Sequence, residues 1–356
     1  MKILKILLIF IPISIVLHFM KANETILFIC SALGIVPLAG LMGEATEGIS
    51  FYTGSKIGGF LNATFGNATE LIISFFALKN GLFEVVKSSI AGSVIGNILL
   101  VLGASMLFGG IKYKNQKFNK KVIEVSSSML LFAVIGLAIP AIFTNTIEKS
   151  LINTRYEGLS IFVAIVMFVI YILSLVFSFG THKDIYAVEA VEKEEKKECQ
   201  KEECAHWSMK KSILVLVVVT VLLAIQAEFL ASSVGPMSEK IGLSEFFVGI
   251  IIIPIIGNAA ENTTAVSMAM KNKMDVAVEI ALGASLQIIL FVAPILIFLS
   301  LLFSPMSIVF NGFELVALIV SVLIANRVAS DGESNWLEGV QLLAVYLVIA
   351  ASFFMM

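Results

Sequence analysis

Two glutamates stand in matching motifs, Gly66-Asn-Ala-Thr-Glu70 and Gly257-Asn-Ala-Ala-Glu261, 191 residues apart. Each lies deep in an apolar run, Glu70 about fourteen residues into 57–78 and Glu261 about seventeen into 245–270. An acidic side chain near the centre of a membrane helix costs on the order of 2.5–3.5 kcal/mol by insertion scales. Both carboxylates must therefore face protein or water, and buried ionisable groups at membrane depth default to a functional reading. The bland alternative is a protonated glutamate bonded to a neighbouring helix; it explains one such residue more easily than two in the same motif.

Oxygen-bearing side chains recur around both. Asn67, Glu70 and Ser74 are spaced to share one helix face, as are Asn258, Glu261 and Thr264. In the following apolar runs Ser89, Ser93 and Asn97 recur every four residues, as do Glu279, Gly283 and Gln287, whereas Ser285 points away from Gln287 on an ideal helix. Pro254, three residues before Gly257, is expected to break its helix and free carbonyl oxygens, tolerable at membrane depth only where they line a cavity or an ion. Carboxylate, amide, hydroxyl and carbonyl oxygens, without histidine or cysteine at that depth, form the shell of a hard cation. Ca²⁺ takes six to eight oxygens in flexible geometry, whereas Mg²⁺ dehydrates reluctantly. Two negative charges match one divalent ion, and the same oxygens can hold protons when the ion leaves. A site that crosses only when loaded with one or the other is an exchanger.

The elements that must position these residues are apolar helices. Hydrophobic residues make up 58% of the 356-residue chain before its 25 glycines are counted, and charged residues 14%, against about 45–50% (glycine included) and 25% in soluble domains. This composition specifies an all-α polytopic membrane protein in a lipid bilayer, and it excludes a nucleic-acid binder, a secreted disulfide scaffold and a disordered chain. Runs of about 20 apolar residues fall at 5–20, 24–42, 57–78, 85–109, 122–143, 159–179, 212–235, 245–270, 276–303, 311–328 and 336–355, eleven transmembrane helices. The first resembles a signal peptide but lacks a good cleavage site, so it reads as a retained helix.

Further residues match at the 191-residue offset: Gly58 with Gly249, Gly92 with Gly283, and Leu99 with Leu290. The chain divides into an N-terminal transmembrane helix (1–23), a first five-helix repeat (24–179), a charged cytosolic linker (180–211) and a second five-helix repeat (212–356). Five is odd, so the second copy is inverted, the layout of secondary transporters. The Lys112–Lys121 loop holds five lysines and the linker seven, and 18 of the 24 Lys+Arg fall on the side of the N-terminus. That places the N-terminus in the cytoplasm and the C-terminus outside. Twenty-two lysines to two arginines point to a prokaryotic plasma membrane. The linker core, Glu189 to Glu203, is either a tether or a cation sensor; its Cys199, Cys204 and His206 lack a fourth zinc ligand.

The two glutamate motifs, together with Lys271-Asn-Lys-Met-Asp-Val-Ala-Val-Glu279 and Asp331-Gly-Glu-Ser-Asn-Trp-Leu-Glu-Gly339, resemble the Ca²⁺/cation–proton antiporters, the CAX family, from about residue 35 to the C-terminus. The resemblance implies one extra N-terminal helix followed by two inverted five-helix repeats. It also implies export of Ca²⁺ against proton entry, with Ca²⁺ and H⁺ as transported ions and no cofactor. On that pattern Glu70 and Glu261 are the central metal ligands, and Asn67, Asn258, Asn97, Ser93, Ser285 and Gln287 line the site. Many members carry histidine directly after the second glutamate; here it is Asn262, so no proton-relay role transfers. Ala284 also stands where Ser or Thr is frequent. Glu228, Glu279, Glu44 and Glu47, and more weakly Asp331 and Glu333, are candidates for gating or ion access. A Na⁺/Ca²⁺ exchanger is the alternative, against which the amide of Gln287 argues by limiting the fixed charge. A passive channel fits repeats with broken midplane helices less well. An enzyme lacks any nucleophile–base pair or metal triad, and a homo-oligomer is compatible with the sequence.

Overall fold

The computed structural model describes residues 6–21, 23–144, 152–182 and 207–356. The linker glutamates, Cys199, Cys204 and His206 lie outside these residues. Twelve helices and two short strands follow in order: α1 (Phe10–Phe19), α2 (Glu24–Phe65), α3 (Ala68–Lys79), α4 (Phe83–Tyr113), β1 (Asn115–Lys117), α5 (Lys120–Thr144), α6 (Ile152–Val176), α7 (Met209–Ile241), α8 (Glu245–Gly257), α9 (Ala259–Met270), α10 (Met274–Ser300), α11 (Gly312–Val328), β2 (Glu333–Asn335) and α12 (Trp336–Phe354). Among the described residues seven helices are long and apolar enough to cross a bilayer, and an eighth span results if α8 and α9, bent by 59° at their junction, are taken together. The chain is a mostly helical polytopic membrane protein.

Local chemistry sets several helix starts. Asn23 accepts from the Thr25 amide at the start of α2. Asn311 with Glu314, and Asn335 with Glu338, form reciprocal capping boxes on α11 and α12. Gly242, in the left-handed region at φ 76°, ends α7, six residues beyond Pro236; the sequence boundary at 235 is too early because the helix continues past that proline.

Helical structure also runs unbroken from Glu24 to Phe65, through the stretch 43–56 where the sequence places a connection. It does not run straight. Ser50 Oγ donates to the Gly58 carbonyl at 3.2 Å, although eight residues of straight helix separate two levels by about 12 Å. The chain therefore folds sharply between those two residues, at a place consistent with the boundary between the second and third apolar runs.

Segments that the charge pattern assigns to one side meet one another. On the lysine-rich side β1 pairs antiparallel with β2, setting Gln116 opposite Ser334. Gln116 donates to the Ala269 carbonyl at 2.9 Å and Lys112 to the Met270 carbonyl at 2.8 Å, covering the C-terminal end of α9. At the other end Ser233 Oγ donates to Glu24 at 3.2 Å, and Phe353 packs edge-on to Phe246 and Phe313. Large apolar side chains of α6 (Phe162, Ile165, Val169, Ile172) and α7 (Leu214, Val217, Val221) point away from the core, an arrangement a bilayer accepts and water does not.

Among the described glycines, the closest approach of one helix to another's backbone joins α4 to α8. A Cβ on Gly92 would collide with the Ile250 carbonyl, and one on Gly249 with the Ser88 hydroxyl. Pro254, four residues after Ile250, offers that carbonyl no N–H, and a π-helical turn at Val248–Ile252 widens the helix just before the proline. The expected break thus begins as a bulge, and the sharp bend falls three residues later, at Gly257-Asn258. Gly92→Ala is expected to destabilise the protein by about 1–3 kcal/mol, read as a lower melting temperature in detergent. Its repeat counterpart Gly283 has nothing within 4 Å of an added Cβ, so Gly283→Ala should melt close to wild type. Equal melting of the two variants would contradict this packing.

Candidate ion site

Both motif glutamates lie in the first turn of a helix that begins inside the bundle, Glu70 in α3 and Glu261 in α9. The sequence reading carried the helix through Gly-Asn; instead Asn67 (φ −102°, ψ 24°) and Asn258 (φ −90°, ψ 7°) are the non-helical residues just before these helices. Gly-Asn is a poor helical pair, and breaking there turns two helix N-termini, with their partial positive charge, toward the carboxylates. The amide side chains of Asn67 and Asn258 thereby leave the helical face and enter the space between the halves.

The two breaks face one another. A Cβ on Gly257 would lie 3.2 Å from Glu70 Oε1, and a Cβ on Gly66 3.5 Å from Glu261 Oε1 and 3.6 Å from Gln287 Oε1. Each carboxylate is therefore packed against the glycine of the opposite motif; a larger residue at 257 would crowd Glu70, whereas one at 66 would meet Glu261 at ordinary contact distance and clash with the Asn62 carbonyl. The asparagines are exchanged in the same reciprocal way. Asn67 Nδ2 donates to Gln287 Oε1 of α10 at 2.5 Å, and Asn258 Nδ2 to Ser93 Oγ of α4 at 3.3 Å and to the Pro254 carbonyl at 3.0 Å.

What remains unpartnered defines the chemistry. Glu70 Oε2, Glu261 Oε2, Asn67 Oδ1 and Asn258 Oδ1 are all buried and accept no hydrogen bond. Glu70, Asn67 and Asn258 are each at most 6% exposed. Buried polar atoms are ordinarily satisfied. Four acceptors left open at two apposed motifs, two of them on carboxylates, are suited to a hard cation or to protons.

The other candidates divide. Ser93 touches the site through Asn258. Asn97 is buried within a π-helical turn, Gly96–Val101, and its Nδ2 has no partner. A second π-turn, Ile288–Val292, begins directly after Gln287 at nearly the repeat-equivalent place. Gly96-Asn97, a poor helical pair, opens the first, while the Ile-Leu-Phe-Val run of the second carries no such mark; such turns are frequent at functional sites. Ser285 is fully buried and donates to the Ala281 carbonyl of its own helix. Glu228 forms an ion pair with Lys79 at 3.3 Å, about 13 Å along α3 from Glu70. Glu279 lines a cleft with Phe118, Asn119, Ser126 and Asp275, about 12 Å along α10 from Gln287. Glu44 is half-buried and Glu47 exposed on α2. Glu333 pairs with Lys117 at 3.4 Å, and Asp331 accepts from the Glu333 amide, so both belong to the β1–β2 connection. Asn262, noted from the sequence only as standing where many relatives carry histidine, also has its Oδ1 buried without a partner beside Glu261.

Known proteins resemble the chain over nearly its whole length. The sodium/calcium exchanger protein family matches residues 23–180 and 211–355. A Ca²⁺/H⁺ antiporter of Aphanothece halophytica is 46% identical, covering 98% of this chain and 95% of its own, and the Ca²⁺/H⁺ antiporter ChaA of Bacillus subtilis is 43% identical, covering 97% of both. The chain belongs to the Ca²⁺/cation–proton antiporter family. Its fold superposes on that of native YfkE with a TM-score of 0.85 at 40% identity, over 99% of this chain and all of that one. The H⁺/Ca²⁺ exchanger CAX shares the fold at a TM-score of 0.72 and 14% identity, over 99% of this chain and 91% of that one.

If these two carboxylates hold the ion, Glu70→Gln or Glu261→Gln should each weaken Ca²⁺ binding at least about tenfold, roughly 1.4 kcal/mol. Melting temperature in Ca²⁺-free detergent should stay level or rise, because an uncompensated buried carboxylate is a cost to the fold. Either variant binding Ca²⁺ as wild type does would remove that residue from the site.

Proposed function

We propose that the chain is a secondary active antiporter exchanging Ca²⁺ for protons by alternating access, with Glu70 and Glu261 as the groups that carry both. The observation behind this reading is the set of four open, buried acceptor oxygens supplied equally by the two motifs. The names of relatives 43–46% identical over nearly the whole chain support it.

The mechanism follows from charge. With Ca²⁺ bound, two carboxylates offset the ion's two charges, and Asn67 and Asn258 supply neutral oxygens. When Ca²⁺ leaves, two bare carboxylates at the bilayer midplane are unfavourable, and protons neutralise the same oxygens. Only loaded forms reorient readily, so Ca²⁺ movement one way is tied to proton movement the other. The reading includes the eleven-helix layout: a helix at 1–23, inverted repeats at 24–179 and 212–356, and the linker at 180–211, with a cytoplasmic N-terminus and an outward C-terminus in a prokaryotic plasma membrane. Asn97, Ser93, Ser285 and Gln287 complete the surroundings of the ion. Glu279 on its cleft, Glu228, Glu44 and Glu47 are the proposed access or gating carboxylates. The transported ions are the only ligands required.

Ca²⁺ should accumulate in proteoliposomes under an imposed pH gradient without any Na⁺ gradient. Acidifying the side on which Ca²⁺ binds should weaken its apparent affinity, because the ion must displace protons from its ligands. An affinity constant between about pH 5 and 8, a range above the ~4.3 of free glutamate, with uptake driven only by Na⁺, would replace this reading with Na⁺/Ca²⁺ exchange.

A further inference from the structure

An asparagine side chain serves a cation only through its oxygen, and a half-turn of the amide exchanges that oxygen for an NH₂ group. Something must hold Asn67 and Asn258 oxygen-inward. For Asn258 the constraint is local. The Pro254 carbonyl can only accept, so Nδ2 must face it at 3.0 Å, with Ser93 Oγ as a second acceptor. Oδ1 then points the other way, buried and unpartnered. In the first half Ala63 stands at the position equivalent to Pro254, and the recorded bond of the Asn67 amide runs instead across the interface, to Gln287 Oε1. Its Oδ1 is buried and open like that of Asn258.

We propose that Gln287 is a positioning residue for ion binding: its amide oxygen holds the Asn67 amide so that Asn67 Oδ1 faces the ion, and Gln287 does not itself coordinate. The inference deepens the Ca²⁺-site reading and rests on it. Because donor and acceptor belong to opposite halves, the Asn67 oxygen is presented only when the two motifs are apposed. Ser93 has a lesser part, since Pro254 already fixes Asn258.

The test is a double-mutant cycle on Ca²⁺ binding to the purified full-length chain in detergent, measured by titration calorimetry without any proton gradient. Gln287→Met removes the acceptor at similar volume and should weaken binding about fivefold, the scale of one hydrogen bond. Asn67→Ala should weaken it at least as much. The double variant should match Asn67→Ala within about twofold, because Gln287 acts only through Asn67. A double variant weaker than Asn67→Ala by the full Gln287→Met factor would make Gln287 a ligand in its own right and overturn the proposal, as would unchanged binding by Gln287→Met alone. A merely structural role for Gln287 would persist in the Asn67→Ala background and lower the melting temperature. If the Met variant fails to insert, Gln287→Ala closes the same cycle. A wild-type chain that binds Ca²⁺ without exchanging it for protons would fail the functional proposal and leave this cycle readable, whereas a wild-type chain that binds no Ca²⁺ overturns both.

Discussion

Two carboxylates packed against the opposite motif's glycine, deep in an apolar bundle and with no basic side chain recorded against them among the described residues, are the constraint on which the rest depends. Removing one charge from water costs several kcal/mol even after relaxation, and two like charges in one site repel besides. The bundle offsets part of this by ending two helices at the site, so that the first turns of α3 and α9 present N–H groups toward Glu70 and Glu261. It leaves the remainder to a ligand. On the proposed reading, a cation or protons supply that remainder at the unpartnered oxygens.

The surrounding architecture serves that requirement. Short side chains let the backbones meet: glycine at 257 leaves room for the Glu70 carboxylate, and glycine at 92 accepts the carbonyl of Ile250. In a membrane, where lipid is as apolar as a helix surface, such close contacts and cross-helix hydrogen bonds hold helices together. The asparagine amides bridge the halves, one to α10 and one to α4. On the lysine-rich side the β1–β2 ladder, Gln116 and Lys112 tie α4, α9 and α12 into one unit.

Much of this was legible in the sequence because it rests on composition and on rare residues in apolar surroundings. Glu70 and Glu261 are conspicuous for being charged, and the 191-residue offset brings out their kinship. The apolar runs beginning at 311 and 336 fall where α11 and α12 start, each behind an Asn-x-x-Glu capping box. Backbone detail was not legible. The π-turn at Ile288–Val292 lies in a run of Ile, Leu, Phe and Val that is equally compatible with a regular helix, and the one at Gly96–Val101 opens on Gly96-Asn97, the pair that breaks the helix in both glutamate motifs but here only widens it. The fold in α2 near Ser50 and Gly58 depends on tertiary contact, which hydropathy does not record. Helical spacing also misplaced the asparagines: Asn67 and Asn258 reach the site because the helix breaks at them. Glu228 was singled out as an acid within a span, and only its partner Lys79, 149 positions away in sequence, places it in an ion pair.

The most direct test of the central claim, that Ca²⁺ and protons occupy the same two carboxylates, is the number of protons released when Ca²⁺ binds. Titration calorimetry of the wild-type chain in buffers of different ionisation enthalpy measures this. Shared occupancy predicts a release that grows as pH falls and approaches two protons per Ca²⁺ when both carboxylates start protonated. Ca²⁺ binding with no proton release at any pH would contradict the account.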